Sequence, residues 1–386
     1  MACIFFFSIP AHGHVNPTLP LVTALTARGH HVIYYETEEF RAKIEAAGAE
    51  FVSIEPYMPP APKNIDRIAG KDFAALIEMV TQTALAMEQR IKDDIALKTP
   101  ALIVGDSVCF WGRLFAKKYG IPFVCSTTTF AFNQHTAKRM KQRPAELIRM
   151  LLGMPRIEKS IQLLRDHGYT VSSFVDVIGN DEKTDTIVYT SRMFQPQSDT
   201  FGRNYAFVGP SVAARYPRKP HARPMVYISL GTVLHNAPGF YRRCLRALDG
   251  MACEAVISVG NAVTSASLGR IPENVRIYPR VNQLEVLASA DVFLTHCGMN
   301  SVSESLLCGV PMVLFPQHSE EEAVAGRAEE LGAGLRLKKA TPKGIRRALK
   351  DVLTDKRYKE AAQAIFEDFA KCNGAEEAAD FIEARI

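Results

Sequence analysis

The sequence predicts an α/β protein made of two doubly wound, Rossmann-like parallel-sheet domains facing a cleft. Three observations lead there: strand–helix alternation through residues 1–208, a proline-rich break at 209–224, and a restart of the same alternation over 225–374. At 386 residues the chain has room for two cores, and 47% hydrophobic with 23% charged residues is an ordinary globular composition.

In the first part, residues 2–8 read as a buried strand and Pro17 to Arg28 as a helix closed by Gly29. Val32 to Tyr35 and Phe51 to Ile54 read as strands around a helix from Glu38 to Ala47. After a long helical stretch at 71–98 come strands at Ala101 to Val104, Phe123 to Cys125, Ile187 to Tyr189 and Tyr205 to Val208. The segment 135–185 gives no regular pattern. The four prolines of 209–224 cannot continue a sheet and read as a linker. Beyond it, strands are expected at 225–230, 255–259, 275–278, 292–295 and 312–315. Helices are expected at 238–250, 283–289, 300–308, 321–331 and 342–353. The segment 375–386 reads as a final amphipathic helix that packs back on the N-terminal domain. In open α/β sheets ligands lie beyond the carboxyl ends of the strands, so each domain should carry a site there.

Composition removes several function classes. A net charge of +5 is small for this length, and Lys338-Lys339 is an isolated basic pair without aromatic interleaving, which does not suit a nucleic acid. No apolar stretch has the length of a membrane span, and the short run Ala2 to Phe7 lacks a basic leader. Eight scattered cysteines without C-x-x-C spacing read as reduced thiols of a cytoplasmic protein.

Residues 291–317 carry the most chemistry. An apolar strand ends at Thr295, His296-Cys297-Gly298 make a turn, and a helix opens near Asn300. Unpaired backbone N–H groups and the positive dipole end at such a start suit a diphosphate. Gly298 permits close approach, Ser301 either caps the helix or bonds a phosphate oxygen, and His296 adds a donor. Glu304, one turn on, is placed to accept from ribose hydroxyls. Read by itself, the same turn is also compatible with a plain helix start and a solvated glutamate.

Over its whole length this stretch resembles the donor signature of family 1 UDP-glycosyltransferases. The opening His12-Gly13-His14-Val15-Asn16-Pro17 resembles the start of the macrolide-type bacterial glycosyltransferases, a GT-B fold group. Phe207-Val208-Gly209-Pro210, Ser229-Leu230-Gly231-Thr232 and Val281-Asn282-Gln283-Leu284 resemble further family segments in the same order, so the similarity spans nearly the whole chain. The resemblance implies a GT-B fold, a UDP-sugar as co-substrate, no covalently bound cofactor and no metal. It places Val281 (through its backbone) and Gln283 toward uracil, Thr232 and Ser301 at the phosphates and Glu304 at the ribose, with Gly231 and Asn300 also among the donor-binding residues. Two positions depart from the pattern. Arg280 stands where many members have a tryptophan stacked on the base, and a guanidinium can also stack. Glu320-Glu321 replaces an acidic–glutamine pair near the donor sugar, which leaves the choice of hexose open, with glucose as first expectation.

His14, at the mouth of the expected cleft, matches the family's base in the tetrad His14-Val15-Asn16-Pro17; imidazole suits general-base work near neutrality. His12 reads as structural. Asp106, after the strand 101–104, is the candidate orienting partner, and it equally suits a cap for the following helix. The implied reaction is an inverting displacement in which an acceptor hydroxyl, deprotonated by His14, attacks the anomeric carbon. Met79, Phe110, Trp111, Phe130, Phe132 and Met140 are apolar residues suited either to the core or to an aromatic, macrolide or terpenoid-like acceptor. A sugar-nucleotide epimerase of GT-B fold and a non-catalytic nucleotide-sugar-binding protein are the alternatives. A dehydrogenase is disfavoured because neither turn carries G-x-G-x-x-G.

Overall fold

The computed structural model describes residues 1–59, 72–137, 144–178, 183–212, 216–231, 237–261 and 263–386. The chain forms two compact units. One comprises Met1–Tyr189, Gln197–Ser211 and Asn373–Ile386; the other comprises Thr190–Pro196 and Val212–Cys372.

The first unit holds seven parallel strands: β1 (Cys3–Phe7), β2 (His31–Glu36), β3 (Glu50–Ser53), β4 (Leu102–Asp106), β5 (Phe123–Thr127), β6 (Asp185–Val188) and β7 (Tyr205–Phe207). Their order is β3-β2-β1-β4-β5-β6-β7. The apolar run of β1 explains its place in the middle, because a parallel sheet is covered on both faces and its central strand has no polar side. Phe5 and Phe7 enter one core with Ile77, Met87, Trp111 and Phe115. Ile4 and Phe6 enter another with Leu21, Val22, Tyr34 and Val104. Strand order reverses direction at β1, whose neighbours are β2 and β4.

The second unit repeats the scheme with β8 (Met225–Ser229), β9 (Glu254–Ser258), β10 (Val275–Tyr278), β11 (Val292–Thr295), β12 (Met312–Leu314) and β13 (Gly334–Arg336). The order is β10-β9-β8-β11-β12-β13, all parallel, so here β8 is the reversal strand, between β9 and β11. Val226, Ile228, Val292 and Leu294 face the main core of this unit, and Tyr227 stacks on Phe293 with ring centroids 4.7 Å apart.

The helix Ala375–Glu383 belongs to the first unit, where Ala378, Ala379 and Ile382 pack with Leu21, Val22 and Leu25 of the helix Leu19–Ala27. Arg28, just past that helix, reaches Glu376 (2.6 Å), Asp380 (2.7 Å) and Glu383 (2.8 Å).

Several elements differ from the sequence reading. The segment expected to be irregular contains the helix Pro144–Asp166 and the short helix Phe174–Ile178. Strand β13 and the helix Lys356–Phe369 also went unread. Strand β4 runs on through Asp106, and the helix after β11 starts at Met299 with Gly298 as its N-cap.

Candidate active site

In each unit a histidine singled out by sequence, His14 or His296, lies beyond the carboxyl end of one of the strands that meet where the strand order reverses. This is the place where ligands bind in open α/β sheets.

In the first unit, β1 hands the chain through Ser8 to Ala11 into a helical turn, His12–Val15. His14 is carried on that turn, and Asp106 is the last residue of the adjacent strand β4. Their side chains meet, with His14 Nδ1 2.8 Å from Asp106 Oδ2. Asp106 is buried, and its other oxygen accepts the N–H of Val108 at 2.9 Å, which fixes the carboxylate's rotation. Asp106 thus braces the turn after β4 and faces the imidazole, but it does not cap the following helix Phe110–Tyr119, whose N-cap Cys109 has no side-chain cap. Thr128, just past β5, places Oγ1 3.2 Å from the same His14 nitrogen. A carboxylate accepting at Nδ1 selects the tautomer that keeps the lone pair on Nε2, the arrangement a general base requires. His12 instead pairs with Glu39 at 3.1 Å and packs edge-on against Phe40.

Sequence reasoning missed two residues here, Thr128 and Glu36. Thr128 sits in the run Ser126 to Thr129, where nothing marks one hydroxyl above the others. Glu36 closes β2 and is fully buried. A charged residue ending an apolar strand was the available signal.

Of the apolar acceptor candidates, Phe110 and Trp111 lie in the core of the first unit and Phe130 is buried. Met79 is partly exposed and Phe132 is exposed. Met140 lies outside the described residues.

In the second unit, β8 leads into Gly231 and β11 into His296-Cys297-Gly298. Gly231 takes φ +70° and Cys297 takes φ 72°, a left-handed conformation in a non-glycine residue. The two glycines confine the His296 ring: a Cβ on Gly231 would stand 2.5 Å from its Cε1, and one on Gly298 would stand 2.7 Å from its Nε2. The helix Met299–Leu307 begins at Gly298 with no side-chain cap, and the positive end of a helix suits an anion. Asn300 and Ser301 lie in that first turn. Ser301 does not cap it; its hydroxyl accepts from Gln283 Nε2 at 3.2 Å.

Gln283 is the hub of a polar group. Its Nε2 also donates to Glu304 at 2.7 Å, and its Oε1 accepts from the Tyr227 hydroxyl at 3.1 Å. Burial pushes the Glu304 carboxyl upward, and the Gln283 amide opposes that. Val281 is partly exposed, and Arg280 is exposed. Glu321 is turned inward: its Oε2 accepts the N–H groups of Gln317 (2.6 Å) and His318 (3.1 Å) at the start of the helix Ser319–Glu330. Its Oε1 is 3.9 Å from His296 Nε2. Glu320 is exposed in the same first turn. Thr232 lies outside the described residues.

Burial depresses the His296 imidazole to about 4, with His318 adding a smaller push in the same direction. The ring is therefore neutral at pH 7, and its Nδ1 has no partner among the described residues. The unfolded chain takes up a proton on this side chain near pH 6.5, whereas the folded unit refuses it until about 4. The stabilisation is complete above pH 6.5 and is lost as pH falls toward the folded value. Urea unfolding of the protein at pH 7 and pH 4.5 should show a loss at this site on the order of 2–3 kcal/mol, removed in His296→Gln.

The C-terminal part of the chain, residues 242–384, matches the model of the erythromycin biosynthesis protein CIII-like, C-terminal domain. Over 99% of its length the chain is 34% identical to the NDP-glycosyltransferase YjiC of Bacillus licheniformis, covering 97% of that protein. The chain belongs to the macrolide-type, family 1 glycosyltransferases. Among these glycosyltransferases, the demethyllactenocin mycarosyltransferase of Streptomyces fradiae is 31% identical, with 100% of this chain and 87% of that one covered. Two solved glycosyltransferases share the fold over the whole chain. That of kitacinnamycin has a TM-score of 0.86 at 27% identity, with 99% of it covered. CalG4, the calicheamicin glycosyltransferase, has 0.77 at 28%, with 98% covered. As a glycosyltransferase of this family, the chain uses a nucleotide sugar and a small acceptor. No helix among the described residues is long and apolar enough to cross a membrane, and none of the eight cysteines is in a disulfide.

Proposed function

We propose that this glycosyltransferase is an inverting, metal-independent hexosyltransferase that moves glucose from UDP-glucose to a hydroxyl of a small apolar acceptor such as a flavonoid, macrolide or terpenoid alcohol. The observation that carries the reading is the 2.8 Å contact between His14 Nδ1 and the buried Asp106 carboxylate at the carboxyl ends of β1 and β4. His14 Nε2 takes the proton of the acceptor hydroxyl, whose oxygen forms a bond to the anomeric carbon as the bond to the diphosphate oxygen breaks. The proton ends on His14, the electron pair on UDP, and the α-linked donor yields a β-glycoside. Asp106 steadies the imidazolium, which supports a contribution on the order of 10²–10⁴-fold from proton transfer.

In this reading, the segment 1–208, together with the helix at 375–386, takes the acceptor, 209–224 is a linker, and 225–374 takes the donor. The diphosphate rests on the first-turn amides at Met299 to Ser301, with Gly231 and Gly298 admitting it and the neutral His296 donating one hydrogen bond. Thr232 and Asn300 complete the phosphate set. These groups supply the stabilisation of a leaving diphosphate for which other enzymes use a divalent ion. Val281 and Gln283 border the base, Arg280 stacks on it, and Glu304 accepts from the ribose. Glu320 reads the sugar hydroxyls, and Glu321 holds the turn before its helix, as its two backbone partners support. Met79, Phe110, Trp111, Phe130, Phe132 and Met140 are the apolar acceptor set. A cytoplasmic location fits cysteines outside disulfides and a nucleotide-sugar donor.

Incubation with UDP-glucose and a simple flavonoid should give equimolar UDP and a β-glucoside without added metal. A panel of nucleotide sugars at fixed acceptor reads the donor choice. Release of an epimerised UDP-sugar without acceptor would support the epimerase alternative and overturn this reading.

A further inference from the structure

At the carboxyl ends of β1, β2 and β4 stand three buried polar side chains, and the reaction above uses only one of them, Asp106. Ile4, Phe6, Val32, Tyr34, Leu102 and Val104 share one face of the first sheet and one core. Side chains alternate along a strand, so the next positions on that face are Ser8, Glu36 and Asp106. All three are buried, and they line the carboxyl ends of β1, β2 and β4. Ser8 and Asp106 have evident roles as a linker residue and as the histidine's partner. Glu36 has none.

Its surroundings are unusual for a carboxyl group. Oε2 accepts the N–H of Thr37 at 2.5 Å, and Oε1 is buried without a partner among the described residues. The ionisable groups that act on it are acidic or weakly acidic: Asp106 from β4, Glu39 from the turn after β2, Tyr34 on its own strand, and Cys109 from the turn after β4. The nearby bases are already engaged. His14 faces Asp106, His12 pairs with Glu39, and Arg41 pairs with Glu38 and Glu45. Burial, with Asp106 and Glu39 adding to it, pushes Glu36 up to about 8, so it is a neutral acid at pH 7.

We propose that Glu36 is a positioning residue of the base site, a second buried carboxyl which, when it ionises, stabilises the positive charge that His14 acquires in the transition state. The proposal rests on the reading of His14 as the base. Strands β2 and β4 flank β1, so Glu36 and Asp106 are two strand spacings apart, roughly 9–10 Å. The imidazole touches Asp106, so a charge on Glu36 acts on it from about that range, and at an effective dielectric constant near 20 it shifts the imidazole by about one pH unit. A partly developed charge therefore gains roughly threefold to tenfold in rate. Glu36 adds its charge only in alkaline solution.

The test is the pH profile of kcat from pH 6 to 9.5 with an aliphatic alcohol as acceptor, since a phenol ionises in that range. The wild-type protein should show an acid limb as His14 loses its proton and then a second rise centred near pH 8. Glu36→Gln, nearly isosteric and never charged, should keep the acid limb and lose the second rise. UDP affinity and the melting temperature of the variant check that it is folded. A wild-type profile flat above pH 7.5 overturns the proposal without recourse to any variant, as does a Glu36→Gln profile that retains the second rise. His14→Ala separates the two readings. Its inactivity at every pH leaves the base assignment standing whatever Glu36 does, and retained activity removes both.

Discussion

Gly231→Ala should weaken UDP binding by about tenfold or more while leaving the His14–Asp106 pair undisturbed. Two costs add. Gly231 sits at φ +70°, where an L-residue pays roughly 1–2 kcal/mol. Its new methyl would also stand 2.5 Å from Cε1 and 2.7 Å from Nε2 of His296, inside any tolerable contact. The ring has little room to retreat, because its Nε2 already lies against Gly298. Either His296 turns away or the start of the helix Met299–Leu307 shifts, and both carry proposed diphosphate contacts. Each 1.4 kcal/mol of lost interaction is a factor of ten in affinity. Titration calorimetry with UDP reads the effect, and unchanged affinity would mean that this turn does not hold the nucleotide.

Much of this architecture was legible because parallel sheets write themselves as apolar runs. The run Cys3–Phe7 admits only a central strand, and the proline break marks where one alternation ends and the next begins. The helix Pro144–Asp166 escaped because Gly153 and Pro155 read as breakers. Gly153 has a packing reason: a Cβ there would come within 2.9 Å of the Ala74 Cβ on the helix Phe73–Lys98. Strand β13 escaped because three residues are too few to show a period, and its Gly334 lies under Leu314, where a side chain would collide.

The candidate site was legible where a residue stands in or just beyond a strand-to-helix turn inside a long motif, as at His14, His296 and Glu304. The distance between His14 and Asp106 was not, since it depends on β1 and β4 being neighbours although 94 residues separate Phe7 from Leu102. Thr128 joins them from a third strand for the same reason. Glu36 was hidden by its context: Glu36-Thr37-Glu38-Glu39 looks like a solvated acidic turn, yet its first member is buried. Glu321 looked like a sugar reader, and two backbone N–H groups now account for one of its oxygens.

The second large effect concerns the base. Without the imidazole, the acceptor must attack as a neutral hydroxyl or lose its proton to water. Asp106 cannot substitute, because it is buried and bound to the Val108 N–H. His14→Ala should therefore lower kcat by about 10²–10⁴-fold. Donor affinity should not follow, since the proposed diphosphate contacts at His296 and Met299 to Ser301 belong to the other unit. Phenols, which ionise readily, should lose less than aliphatic alcohols. The decisive measurement pairs steady-state transfer by His14→Ala to an aliphatic alcohol with calorimetric UDP binding by the same variant. Loss of turnover with wild-type UDP affinity is the predicted result; turnover within a few-fold of wild type would contradict the account.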